Sequence, residues 1–301
     1  MRTSVRFAEV DHAIVATDLT KTFGTVRAVD GLNLTVDASE VVGFLGPNGA
    51  GKSTTLRLLL GLLRPSAGST TILGHPAGSA PARRHVAYVP GDVALWPQLT
   101  GRETISLLGS LHGTLDEAYR DELFELFELD PEKRIRAYSK GNRQKVAIIA
   151  AFATRAEVLL LDEPTSGLDP LMERSFRTCI VEAAARGQAV LLSSHLLAEV
   201  EHLCERVVMI RSGRIVTVAD VAELRARAGF EFDVTGDVGD LNAVPGVTEV
   251  TATGDGVRVR VSGSPAPLLV ALGERGATSL RSREASLEEI FLSYYDGAPA
   301  P

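Results

Sequence analysis

Sulfur and aromatic side chains are scarce in this 301-residue chain: two cysteines, three methionines, one tryptophan, and aromatics at 5% of residues. Cys179 and Cys204 have no metal-ligand spacing and both fall in apolar helical patterns. Two buried, reduced thiols are therefore expected, which fits a cytosolic compartment. Long hydrophobic runs are also missing. No stretch approaches the roughly 18 apolar residues of a membrane span, and the best short run, Val146 to Ala153, reads as a buried helix face. Glu9 and Asp11 stand where a signal peptide would carry its apolar stretch. Basic charge is in deficit, with 31 Lys and Arg against 38 Asp and Glu, a net charge of −7 and a pI near 5.5. That balance argues against a nucleic-acid partner. Lysine vanishes altogether from 220–301, where seven arginines face thirteen carboxylates.

Apolar residues are plentiful at 45%, enough for a sizeable core in one large or two modest domains. The run Gly46-Pro47-Asn48-Gly49-Ala50-Gly51-Lys52-Ser53-Thr54 fits the phosphate-binding pattern G-x-x-x-x-G-K-[ST]. Val41 to Leu45 before it reads as a buried strand, and Thr55 to Leu63 after it as an apolar helix. The pattern requires that strand–loop–helix setting. Glycines let successive backbone N–H groups converge on one anion, and the helix N-terminus adds partial positive charge. Lys52 can reach β- and γ-phosphates, and Ser53 can hold Mg²⁺. A nucleoside triphosphate is the expected ligand.

Apolar patterning predicts strands at 12–18, 32–45, 69–73, 85–89, 157–161 and 189–193, and helices at 139–154, 171–186 and 196–204. Thr100-x-x-Glu103 and Thr114-x-x-Glu117 read as capping boxes opening two more helices. Residues 206–211 and 214–218 flank Ser212-Gly213 as a hairpin. This alternation predicts an α/β domain with a mostly parallel sheet over about 1–219. Beyond it, 220–301 reads as a separate small α+β domain. Its strands are expected near 230–234, 247–251 and 257–261, and its helices near 266–274 and 287–295, the last behind a Ser286-x-x-Glu289 box.

A second constellation narrows the chemistry. Val158 to Leu161 is an apolar strand running into Asp162-Glu163. Asp162 can hold Mg²⁺ opposite Ser53, and Glu163 can polarise an attacking water. Tyr138-Ser139-Lys140-Gly141-Asn142-Arg143-Gln144-Lys145 opens a helix about twenty residues earlier; its Ser and Gly would present a hydroxyl and backbone N–H groups to an anion. Ser166-Gly167-Leu168-Asp169 follows the carboxylates, and Ser193-Ser194-His195 ends the next strand. In these motifs and their order, over about residues 12–218, the chain resembles the nucleotide-binding subunit of an ABC transporter.

That resemblance implies a P-loop ATPase domain with a helical, signature-bearing subdomain at about 92–155. It implies ATP and Mg²⁺, and a homodimer or heterodimer in which each ATP lies between one chain's phosphate loop and the other's signature. Ser139 and Gly141, with Lys140 and Asn142 beside them, would face the partner's γ-phosphate. Asp169 would couple the two sites, His195 would contact the γ-phosphate, and Phe23 would stack on adenine. Lys140 departs from the glycine usual in the signature. A larger departure is Gly91-Asp92 after Tyr88-Val89-Pro90, where the family places a glutamine. Either the Asp92 carboxylate replaces that ligand, or the loop lacks it.

Transport would need a separate membrane permease. The region around Trp96, Pro97, Leu99 and the helix from Thr100 is where the family receives it, although a tryptophan beside proline can simply be packed. Ser286 to Leu292 resembles the ending of ATPases paired with ABC-2-type permeases, including drug and antibiotic exporters. That would place the chain in the cytoplasm, on the inner face of the cell membrane. The tail can equally be a dimer-stabilising appendage, or both. A soluble, non-transport ABC ATPase is the competing expectation; a single phosphate loop, no heptad run and the acidic balance weigh against it.

Overall fold

The computed structural model describes residues 12–195 and 200–284. Part of the expected helix 196–204, the Ser286-x-x-Glu289 box, the helix 287–295 and the permease-type tail lie outside them. The chain divides into two compact units, Met1–Val218 and Ala219–Pro301.

The first unit is built on two sheets. One is antiparallel, in the order β2-β1-β4-β5, from β1 (Ile14–Phe23), β2 (Val26–Val36), β4 (Ala67–Ile72) and β5 (His75–Pro76). The other has six strands in the order β10-β9-β3-β8-β7-β6: β3 (Val41–Leu45), β6 (Val86–Val89), β7 (Val158–Asp162), β8 (Ala189–Ser194), β9 (Arg206–Arg211) and β10 (Arg214–Asp220). From β9 through β6 its pairs are parallel. Every residue of β3, β7 and β8 is buried, as expected for central parallel strands covered on both faces. β9 and β10 are linked by Ser212 and Gly213, both at positive φ (48° and 79°), the backbone a two-residue hairpin requires.

Helix α1 (Lys52–Leu59) touches both sheets. Leu56, Leu58 and Leu59 enter one core with Ile14, Leu19, Leu32 and Val36 of the antiparallel sheet and Phe44, Leu160 and Leu191 of the parallel one. Each such fully buried side chain contributes about 1.5–3 kcal/mol of hydrophobic transfer. The start of α1 is thereby held rigidly at the end of β3.

Two expectations are corrected. The strand expected over 32–45 is two strands in two sheets. Asp37 to Glu40 turns the chain between them, with the Asp37 N–H donating to Glu40 Oε2 (2.8 Å) and Ser39 at φ 65°. Apolar residues flank this turn closely on both sides, so their run masks it. The box expected at Thr114 does not form. Asp116 caps α4 (Glu117–Leu126) by accepting the Tyr119 N–H (3.0 Å), while the Thr114 hydroxyl donates to the Thr154 carbonyl (2.8 Å). Aspartate is at least as good a cap as threonine, and Thr114 is recruited by a residue forty positions away. The Thr100 box does form: its Oγ1 accepts the Glu103 N–H (3.2 Å), and Glu103 Oε2 accepts the Thr100 N–H (2.8 Å). It opens α3 (Gly101–His112), which packs with α4 against α5 (Lys140–Ala153). A short α2 (Ala80–Arg83) precedes β6, and α6 (Pro170–Ala185) connects β7 to β8.

The second unit opens with α7 (Val221–Ala228). It carries an antiparallel sheet ordered β12-β13-β11-β14: β11 (Phe230–Thr235), β12 (Val247–Thr253), β13 (Gly256–Val261) and β14 (Ser279–Glu284). Phe232, Val234, Val259 and Val261 pack with Leu268 and Leu272 of α8 (Ala266–Glu274). The alternate residues of these strands carry ion pairs, Arg258–Asp233 and Arg260–Glu231, each at 2.8 Å. The antiparallel sheet of the first unit, α7 and β14 were not expected from sequence. Among the described residues, no helix is long and apolar enough to cross a membrane.

Candidate nucleotide site

The loop between β3 and α1 curls through Gly49 (φ 79°) and Gly51 (φ 112°), with the Ala50 N–H donating to the Pro47 carbonyl (3.1 Å). Close packing demands glycine at two positions. A Cβ on Gly46 would lie 2.5 Å from the Ile210 carbonyl oxygen, and one on Gly51 would lie 2.6 Å from that of Ala28. Gly51 is the N-cap of α1 and offers no side-chain bond to the first turn. Those N–H groups, together with the helix dipole, suit an anionic ligand.

Lys52 is 5% exposed. Its Nζ donates to the carbonyls of Gly46 (2.5 Å) and Pro47 (3.3 Å) and lies 3.6 Å from Glu163 Oε1. Burial pulls its pKa below the ordinary lysine value, opposed by the Glu163 and Asp162 carboxylates. Ser53, one residue on, is half-buried.

Asp162 ends β7 and is buried; its Oδ1 accepts the Ser193 hydroxyl at 2.7 Å. Glu163 follows at φ 47°, a conformation non-glycine residues rarely adopt. Its N–H is held by the Ser193 carbonyl (3.1 Å) and hydroxyl (3.3 Å), and its carboxylate turns toward Lys52 and toward His195 Nδ1 (3.3 Å). The Tyr88 hydroxyl lies near Asp162 and Arg57, and burial beside that carboxylate pushes its pKa up to about 12.

Lys52, Asp162, Glu163 and His195 thus converge at the ends of β3, β7 and β8, with Ser53 the next residue after Lys52. The other expected residues stand apart: among the described residues, no hydrogen bond or ion pair joins Phe23, Asp92, Ser139–Asn142 or Asp169 to Lys52, Asp162 or Glu163. Phe23 is 47% exposed at the end of β1, with the Lys21 ammonium 5.0 Å from its ring centroid. Ser139 caps α5 by accepting the Asn142 N–H (3.2 Å). Asp169 caps α6, accepting from the N–H groups of Leu171 and Met172 (3.0 Å each). Asp92 is exposed, while a Cβ on its neighbour Gly91 would come within 3.1 Å of the Asp162 carbonyl oxygen.

Among the described residues, no three His, Cys, Asp or Glu side chains are grouped to hold a metal by themselves. Ser53 and Asp162 could offer two oxygen donors to Mg²⁺, an ion that keeps waters and shares substrate phosphates. Two residues escaped sequence reasoning. Ser193 carries both carboxylate residues through one side chain and its backbone. Gln144 is a fully buried amide on a helix. The available signals were a serine two before the histidine and a lone amide facing an apolar side.

A phosphate loop, a buried lysine on the following helix and a carboxylate pair ending a parallel strand define a P-loop nucleoside triphosphatase. Residues 29–166 match the family model described as ABC transporter. The chain is 34% identical to the daunorubicin resistance ATP-binding protein DrrA3 of Streptomyces coeruleorubidus, over 94% of this chain and 95% of that one. It is 35% identical to the Nod factor export ATP-binding protein I of Burkholderia lata, over 90% and 93% respectively. A solved ATP-binding subunit of an ABC transporter superposes with a TM-score of 0.66 at 32% identity, covering 71% of this chain and 92% of that one. This chain belongs to the ABC transporter ATP-binding proteins, and it is an ABC-type ATPase.

Proposed function

We propose that this chain hydrolyses ATP to power a separate ABC-2-type permease that exports a drug, an antibiotic or a lipid-like compound. The observation that carries the hydrolytic part is the meeting of Lys52, Glu163 and His195 beside the uncapped start of α1. Support for export is the likeness to drug-resistance and Nod-factor-export ATP-binding proteins over nine-tenths of both chains.

In this reading Gly46 to Thr54 cradle the phosphates and Lys52 exchanges its loop carbonyls for phosphate oxygens. Ser53 and Asp162 would hold Mg²⁺, with Asp92 as a further ligand from the loop beside Asp162. The ion would neutralise phosphate charge. Glu163 takes a proton from the attacking water, and His195 fixes that carboxylate and meets the γ-phosphate. Phe23 offers an open aromatic face to adenine. Catalysis then rests on positioning and charge compensation. Ser139, Lys140, Gly141 and Asn142 would complete the partner chain's site in a dimer, homomeric or mixed, and Asp169 would stand at the interface between the two.

The chain would work in the cytoplasm, on the inner face of the membrane. Its permease contact is proposed on the stretch from Trp96, which is 45% exposed, along α3 to Leu111, which is 72% exposed. Leu111 rims an apolar cavity of about 320 Å³ that also takes in Leu62, Val86 and Tyr88.

The test is Mg²⁺-dependent ATP hydrolysis against protein concentration, with Glu163→Gln as control. A steeper-than-linear rise, lost in the variant, supports a dimeric ATPase. Daunorubicin accumulation in cells expressing the chain with its permease then tests export.

A further inference from the structure

The N-terminal part of α5 is locked onto the loop that follows Glu163 within a single chain. Gln144 is 1% exposed, and its Nε2 donates to the buried Pro164 carbonyl at 2.9 Å. One turn earlier, a Cβ on Gly141 would stand 2.6 Å from the Gly167 carbonyl oxygen, so only glycine lets the helix approach this closely. A Cβ on Gly167 would in turn meet the Lys140 methylenes at 3.9–4.0 Å.

That loop is the one carrying Glu163. Glu163 sits at φ 47°, with its N–H fixed by Ser193 on one side. On the other side the chain enters Pro164, whose carbonyl has the Gln144 amide as its donor. The turn continues with Ser166 N–H to Glu163 O (3.1 Å) and Leu168 N–H to Thr165 O (2.9 Å) before Asp169 caps α6. A strained residue persists only where its surroundings over-determine it. Ser193 and Gln144 both hold the backbone on either side of it, Ser193 from β8 and Gln144 from the helix whose N-terminus carries Ser139 to Asn142.

We infer that Gln144 is a positioning residue: it makes the orientation of the Glu163 carboxylate depend on the placement of the α5 N-terminus, joining phosphate sensing at Ser139–Asn142 to the general base inside one chain. This rests on the roles given above to Glu163 and to the α5 N-terminus. The buried amide spends its donor on Pro164, and among the described residues no hydrogen bond joins it to the phosphate loop or to Phe23. Its loss therefore separates turnover from binding.

The experiment compares full-length wild type, Gln144→Met and Glu163→Gln, reading kcat by phosphate release and nucleotide Kd with a fluorescent ATP analogue. Hydrogen exchange of the 161–169 segment is followed alongside. Gln144→Met keeps the volume and removes the donor. The expected result is a kcat lowered about tenfold or more, a Kd within about twofold of wild type, and faster exchange in 161–169 with β3 unchanged. A kcat and an exchange pattern like wild type, beside an inactive Glu163→Gln, would overturn the inference while leaving Glu163 as the base. Full turnover in Glu163→Gln would remove the base and this inference together. Loss of binding in step with kcat would also overturn it, since that is the mark of general disruption. Should Gln144→Met not fold, Gln144→Asn keeps the amide but withdraws it by one methylene, and is read by the same criteria.

Discussion

Lys52 Nζ and Glu163 Oε1 lie 3.6 Å apart, joining the helix after the phosphate loop to the end of β7. The pair costs desolvation at the lysine, whose pKa is lowered by burial. A γ-phosphate placed here would give the ammonium a stronger partner and free the carboxylate for a water.

Glu163→Gln should therefore bind ATP with near-normal affinity while turnover falls about a hundredfold or more, as expected for loss of a general base. Phosphate release and equilibrium binding, measured on the same preparation, check both halves.

Ser193→Ala removes the hydroxyl that serves the Asp162 carboxylate at 2.7 Å. A lost bond to a buried charged group costs about 1.5–3 kcal/mol, so urea unfolding should show a lower midpoint with an unchanged m-value. Because Asp162 is then less well oriented, more Mg²⁺ should be needed for half-maximal hydrolysis. A Mg²⁺ titration identical to wild type would count against Asp162 as a metal ligand.

Phe23→Ala should raise KM for ATP about tenfold with little change in kcat, since stacking of a base on an aromatic ring is worth about 1–3 kcal/mol and is made equally in ground and transition states. The effect should be absent for inorganic tripolyphosphate, which has no base.

Asp92→Ala should raise the Mg²⁺ concentration for half-maximal turnover about tenfold if the carboxylate serves as the loop's metal ligand, in line with the weight of one ligand or its support. An unchanged titration would leave the Gly91-Asp92 loop without that function.

Both cysteines are buried and unpaired by disulfides. Burial pushes the Cys179 thiol up to about 12 and raises Cys204 as well. A thiol with a raised folded-state pKa contributes stability that is complete below its unfolded value, 9.0, and is lost as pH climbs through the folded value. Native protein at pH 8 should thus react with Ellman's reagent only on unfolding, and thermal stability should decline above pH 9. Rapid labelling of folded protein at pH 8 would contradict both statements.

The residues themselves determined whatever is written in a few consecutive positions. Glycine spacing wrote the phosphate loop, the Thr100–Glu103 pair wrote a whole capping device within four residues, and unbroken apolar runs wrote the buried parallel strands β7 and β8. Those features depend on local backbone freedom and side-chain period, so they can be read before folding. Tertiary structure alone decided that Asp37 to Glu40 separates two sheets, that Thr154 claims the Thr114 hydroxyl, and that Asp116 caps α4 instead. It also decided that Ser193 reaches Asp162 from thirty-one positions away and that Gln144 reaches Pro164 from twenty. Each of these is a choice among competing hydrogen-bond partners of similar intrinsic strength. Packing settles such a choice by bringing one partner within 3 Å and burying the alternative, and the order of residues along the chain carries no distance.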